Sequence, residues 1–131
     1  MSTTFPPAPG GHSPWGAIQT VRPLGPDAVA VTTASHGAVW VSAAGLARIP
    51  EPLRETACSA GGWFEEDCDW AIPYLALGLQ AFEPDRGEAT VHDARRTVWR
   101  WHRVHAGALG VFQDPGGPLA AWGGGRKGFA G

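Results

Sequence analysis

Two hydrophobic patterns divide the chain into a strand-like first half and a helix-like second half. Apolar residues alternate with small or polar ones in Ala17–Val21, Ala28–Thr33 and Ala38–Ser42, as in half-buried β-strands. Pro23–Asp27 and Ser35–Gly37 separate these runs and are rich in turn-forming residues. The first half is therefore predicted to form a short antiparallel meander of about three strands.

The second half carries apolar residues at helical spacing. Intervals of three or four residues place one set on a common face of a helix Glu88–His105: Val91, Ala94, Val98, Trp101 and His105. Another helix is predicted from Asp67–Asp69 to Leu77, because Pro73 is tolerated only near a helix start and Gly78 suits its end. Ser42 is suited to cap a short helix, Ala43–Arg48. Together these elements predict an α+β fold with two main helices against the meander.

Glycine and proline mark the two ends of the chain. The 131 residues include 19 Gly and 12 Pro, concentrated near both termini, and the length suits one domain. Such segments bury too little apolar surface to offset the entropy of ordering. We expect a flexible arm at 1–13, a single α+β domain at 14–105 and a flexible Gly-rich tail at 106–131.

Charge and hydropathy argue against non-specific nucleic-acid binding, secretion and membrane insertion as functions or locations of this protein. The net charge of −2 disfavours bulk non-specific binding of nucleic acid. No stretch has the pattern of a signal peptide, and none approaches the roughly 18–20 apolar residues of a membrane span. These features predict a cytoplasmic protein without a membrane partner, in which Cys58 and Cys68 are reduced.

Candidate chemistry is concentrated in the acidic segment, Gly61–Trp70. It holds four acids, a cysteine and two tryptophans: Glu65, Glu66, Asp67, Asp69, Cys68, Trp63 and Trp70. If His36 at the hairpin tip met Glu65, Glu66 and Asp67 in one cleft, they could form a metal-dependent hydrolase or nuclease. The alternative is structural, with the acids capping a helix and facing water. No HExxH, CxxC pair or GxSxG motif supports an enzyme, so we expect neither a resident metal nor a cofactor.

Three smaller constellations each have a functional and a structural interpretation. Cys68 at a helix start could be a nucleophile, although a buried thiol is more common. His102 and His105 could share a metal, but no acid completes their face, which favours a partly buried helix flank. Arg96, Arg100 and Arg103 share a face with Trp99 and could grip phosphates or an acidic partner, or simply face water.

Three short motifs stand out along the chain: Trp15-Gly16, Ser35–Gly37 and the Gly-Trp-Phe-Glu-Glu-Asp run at Gly62–Asp67. Together they resemble a small uncharacterised bacterial domain family found in phages, plasmids and proteobacterial genomes. Ala38 departs from the second glycine of the Ser-His-Gly-Gly pattern. The resemblance implies no activity. It implies an accessory role on a mobile element, where small proteins often bind a host component.

The sequence therefore predicts a non-enzymatic binding protein, with interference in a host defence or nucleic-acid-handling complex as the expected role. Its predicted contact residues are Trp63, Glu65, Glu66, Asp67, Arg96, Trp99, Arg100 and Arg103, since Trp and Arg contribute strongly to interfaces. A protein partner is expected. Binding of nucleic acid through Arg96, Arg100 and Arg103 is one alternative, and a homodimer is another.

Overall fold

The computed structural model describes residues 6–116. Its strands are β1 (His12–Ser13), β2 (Gly16–Ala17), β3 (Thr20–Pro23), β4 (Ala28–Thr32), β5 (Gly37–Val41) and β6 (Trp63–Glu65). Its α-helices are α1 (Ala43–Leu46), α2 (Ala71–Ala76) and α3 (Gly87–Trp101), and 3₁₀-helices span Glu51–Leu53, Leu79–Phe82 and Arg103–Leu109. β1 and β2 form a small antiparallel pair, while β3–β4–β5–β6 form an antiparallel sheet in that order. The predicted α+β class is confirmed.

The helices cover one face of the four-stranded sheet. The register pairs Ala30 with Val39 and Val39 with Phe64, which places these side chains on a common face. They pack against α2 and α3 in the main core, whose buried members include Trp70, Ile72, Tyr74, Ala94 and Val98. The sheet and the amphipathic helix α3 thus pack against each other through one apolar layer.

The opposite face of the sheet is also apolar and has its own cover. Trp40 lies opposite Trp63 across β5 and β6, and both belong to a second buried cluster with Ile18. The N-terminal segment closes this cluster, because Gly10 N–H donates to Ile18 O at 2.9 Å and Ile18 N–H donates to Gly11 O at 2.9 Å. Tryptophan therefore serves both faces of the sheet.

Both predicted terminal segments are partly described. Residues 6–13 of the predicted arm include β1, and residues 106–116 of the predicted tail include the buried Ala106 and Val111. The remainder of each segment, 1–5 and 117–131, lies outside the described residues. The domain division stays a prediction. Within 6–116, no helix combines the length and apolar character needed to cross a membrane.

Several elements differ from those predicted. The predicted strand Ala17–Val21 is divided between β2 and β3, and α1 ends at Leu46 instead of Arg48. The sheet gains a fourth strand, β6, whose three residues are too few to show alternation. α2 begins at Ala71 because the preceding acids form a turn, although Pro73 still lies in its first turn. α3 ends at Trp101, since His102 has φ −133° and ψ 39°. Trp101 and His105 are exposed, so they do not share the buried face as predicted.

Candidate functional site

Glu65 is a buried carboxylate that organises the acidic segment. It ends β6, and its two oxygens accept the backbone N–H groups of Asp67 at 2.8 Å, Cys68 at 2.7 Å and Asp69 at 3.2 Å. Successive N–H groups at the start of a helical turn form a concavity that favours negative charge. Glu65 therefore stabilises the turn before α2 from inside the protein.

Asp69 joins three distant parts of the chain. It is 2% exposed and accepts hydrogen bonds from Thr56 Oγ1 at 2.5 Å, Ser59 Oγ at 2.5 Å and His102 Nε2 at 3.0 Å. Burial raises the pKa of Asp69, but the hydrogen bonds from His102, Ser59 and Thr56 outweigh it and leave the pKa below its usual value. The carboxylate therefore stays ionised and fastens the 56–59 loop to the end of α3.

The same network leaves Cys68 as a protonated thiol. Its Sγ lies 3.0 Å from Glu65 Oε1, while its backbone O lies 3.0 Å from His102 Nε2. Burial, followed by the hydrogen bond and charge of Glu65, raises the pKa of the Cys68 thiol far above its usual range. Since the thiolate is the nucleophile and metal ligand, this environment favours a structural role.

We expect Cys58 and Cys68 to differ sharply in alkylation. Both are free thiols, but Cys58 is exposed, whereas Cys68 is partly buried and has the raised pKa. In native protein at neutral pH, iodoacetamide should modify Cys58 at least about tenfold faster than Cys68, because only the thiolate reacts. Peptide mass spectrometry over time measures both rates. In urea the rates should converge, and fast native labelling of Cys68 would contradict this account of its surroundings.

Metal-ligating atoms do come together in the acidic segment. One atom each from Glu65, Cys68 and Asp69 lies within 4.8 Å of the others. These atoms already accept or donate the hydrogen bonds described above. A cation would have to displace backbone N–H groups, two hydroxyls and an imidazole, and would also have to deprotonate the thiol. The geometry therefore favours a hydrogen-bonded structural network.

The histidine that meets an acid of this segment is His102. His36 is exposed, its Nδ1 lies 2.8 Å from Ser35 Oγ, and its ring stacks on Trp15 with centroids 6.4 Å apart. Its backbone pairs with Thr33 across the turn. Among the other predicted residues of the acidic segment, Trp63, Glu65 and Glu66 are buried and Asp67 is exposed. Sequence reasoning missed the Asp69–His102 pair because its members lie on separate elements.

The predicted arginine face divides into a paired part and a stacked part. Arg96 is half-buried, and its Nη1 lies 3.2 Å from Asp114. Arg103 lies over the half-buried ring of Trp99, 4.7 Å from Cζ to centroid, and its Nε donates to Trp99 O at 3.1 Å. Arg100 lies 5.3 Å from the centroid of Trp101. Within residues 6–116, neither Arg100 nor Arg103 makes an ion pair.

Large apolar side chains are exposed in the same part of the chain as these stacked arginines. Trp101 is 55% exposed, Val104 90% and Phe112 77%. Phe112 lies over Gly107, where an added Cβ would be 3.3 Å from its ring. We name the α3-end surface by its five residues: Arg100, Trp101, Arg103, Val104 and Phe112. Sequence reasoning missed Val104 and Phe112, and it placed Trp101 on the buried face.

Comparison with known proteins gives a family and no closer relative. No curated protein and no solved structure matches the chain. One family model, a domain of unknown function, matches residues 8–111, which cover the sheet, the three helices and the 3₁₀-helix after α3. Since this match spans most of the chain, the protein belongs to the DUF7007 family.

Proposed function

We propose that this protein is a non-enzymatic, cytoplasmic accessory protein that binds a protein partner through its α3-end surface. The observation that carries the proposal is the exposure of Trp101, Val104 and Phe112 in the segment that also holds two stacked arginines. Aromatic residues and arginine are enriched among the residues that dominate interface energies. An exposed apolar patch next to charged groups is typical of interaction sites.

The state of the acidic segment supports a binding role over a catalytic one. The carboxylates of Glu65 and Asp69 are committed to hydrogen bonds within the protein, and the Cys68 thiol is held protonated. A catalytic acid, base or nucleophile needs a group that can reach substrate and change its protonation near neutral pH. The contact residues proposed here are therefore those of the α3-end surface, with Trp99 supporting Arg103.

The motif resemblance supplies the proposed biological setting. Trp15-Gly16, Ser35–Gly37 and Gly62–Asp67 resemble domains carried by phages and plasmids. We place the protein on such a mobile element, with a host defence or nucleic-acid-handling complex as the target. A second copy of the chain is the alternative occupant of the same surface.

Site-specific photo-crosslinking tests this proposal. A photo-reactive residue at position 104 should yield a discrete cross-linked species in the native host, whereas one at exposed Glu88 on α3 should not. With the probe kept at position 104, the variant Phe112→Ser should reduce capture of the same species by about tenfold or more. Its unfolding free energy should change by no more than about 0.5 kcal/mol, because this side chain is exposed.

The outcomes separate the candidate partners. Cross-links of equal yield at positions 88 and 104 would reject the α3-end surface as the contact site. Light scattering of the purified protein distinguishes a foreign partner from a second copy, since self-association through this surface would give a dimer that Val104→Ser/Phe112→Ser dissociates.

A further inference from the structure

Building on the proposed function, we infer that the partner presents an acidic segment to the α3-end surface, in which carboxylates accompany apolar side chains. The carboxylates would meet Arg100 and Arg103, and the apolar side chains would cover Trp101, Val104 and Phe112.

Stacking leaves the hydrogen-bonding edges of both guanidinium groups available. A guanidinium group carries its N–H donors in its plane, so contact between its face and an indole ring does not consume them. Arg103 uses only Nε, which donates to Trp99 O, and the described residues supply no hydrogen-bond partner for the terminal nitrogens of Arg100 or Arg103. Such edges match a carboxylate through two parallel hydrogen bonds.

The stacked arrangement also lowers the cost of binding. A free arginine side chain loses considerable rotamer entropy when it is fixed at an interface. Arg103 is held by its indole contact and by its hydrogen bond 3.1 Å long to Trp99 O before any partner arrives. Trp99 packs against the main core, so the platform under Arg103 is rigid. Because the guanidinium group of Arg103 is already held in place, it favours specific binding of a carboxylate over non-specific electrostatic attraction.

The segment that carries the α3-end surface has the charge sign that an acidic partner requires. Residues 91–116 contain four arginines and two aspartates, although the whole chain has a net charge of −2. Asp93 is buried, and Asp114 is paired with Arg96. Within residues 91–116, the exposed charge outside these two aspartates is therefore positive, and the remainder of the chain is acidic. This asymmetry would orient an acidic partner toward the α3-end surface.

The apolar residues favour a protein segment over single-stranded nucleic acid. Bases bind by stacking on aromatic rings and guanidinium planes, but the ring of Trp101 is already covered on one side by Arg100, and Val104 offers no stacking face. Phosphate recognition also depends on an extended basic surface, which a chain with net charge −2 provides poorly. Aliphatic and aromatic side chains of a peptide would fill the surface better.

Selection from a random peptide library tests the inference. Phage displaying random peptides of about twelve residues are selected on the full-length protein, and selected peptides are then titrated by fluorescence anisotropy. We expect enrichment of Asp and Glu together with large apolar residues. Binding should weaken by about tenfold or more in Arg100→Gln/Arg103→Gln, and by about twofold or less in the charge-matched control Arg48→Gln/Arg86→Gln.

Three results would overturn the inference. They are selection of peptides without acidic enrichment, equal loss of binding in the two charge variants, and tighter binding of oligothymidine than of any selected peptide. Each of these is distinct from failure of the proposed function. If cross-linking at position 104 succeeds while acidic peptides fail, the α3-end surface stands and only the partner class is wrong.

Discussion

Replacing Asp69 with asparagine is expected to lower the free energy of unfolding by about 3 kcal/mol, since removing one member of a buried charged network leaves its partners unsatisfied. The carboxylate is 2% exposed and accepts bonds from Thr56, Ser59 and His102. Asparagine keeps the size but replaces one acceptor oxygen with a donor amide. Urea unfolding at neutral pH, followed by tryptophan fluorescence, measures the loss.

The loss caused by Asp69→Asn should depend on pH. The folded-state pKa of Asp69 is lowered, so its stabilisation is fully present above the unfolded pKa of about 3.9 and is lost as pH falls through the folded pKa. The difference between wild type and variant should therefore shrink below about pH 4. Asp85→Asn, at an exposed position, is the control and should cost about 0.5 kcal/mol or less. An equal loss in the control, or a difference that persists in acid, would contradict the assignment.

The Asp69 network also positions the proposed contact surface. His102 lies between Trp101 and Arg103, and its Nε2 is held by Asp69 Oδ1 and by Cys68 O, both at 3.0 Å. The chain leaves helical geometry at His102, and the residues on either side of this point, Trp101 and Val104, are exposed. The buried network and the proposed contact surface thus meet at one residue.

Local sequence patterns were sufficient for the fold class and for several elements. The alternation of residue types in Ala28–Thr33 and Ala38–Ser42 predicted β4 and β5. In both strands, successive side chains point to opposite faces of the sheet. Ser42 caps α1 as predicted, because its Oγ accepts the N–H of Gly45 at 3.1 Å. Gly78 follows α2 in a left-handed conformation, with φ 62°. These outcomes depend on residues close in sequence.

The candidate site depends on contacts that sequence spacing cannot show. Glutamate is usually a surface residue, yet Glu65 and Glu66 are both buried. Glu65 accepts hydrogen bonds from backbone N–H groups of its own turn. The partner of Asp69 is His102, on another element, whereas the sequence hypothesis paired the acids with His36. The helical pattern also continued through Trp101 to His105, although the helix ends before His102. Hydrophobic periodicity shows only the spacing of apolar residues. It does not indicate the residue at which tertiary contacts end a helix.

Trp70→Ala and Trp101→Ala remove the same indole ring, but we expect the first to reduce stability and the second to reduce peptide affinity. Trp70 is fully buried in the main core, with its ring 5.6 Å from that of Tyr74 in an edge contact. Truncating it should lower the free energy of unfolding by about 3–5 kcal/mol, through lost apolar burial and the cavity left behind. Trp101 is 55% exposed, so its truncation should cost about 1 kcal/mol or less.

Binding of the selected acidic peptides should follow the reverse order. Trp101→Ala removes an exposed ring and the platform under Arg100, so affinity should fall by about tenfold or more. Trp70→Ala should retain affinity under conditions where it remains folded, as judged by circular dichroism. A stable Trp70→Ala would show that the core is not organised around α2 as described. A Trp101→Ala variant with full affinity would remove this tryptophan from the α3-end surface and leave recognition to Arg103, Val104 and Phe112.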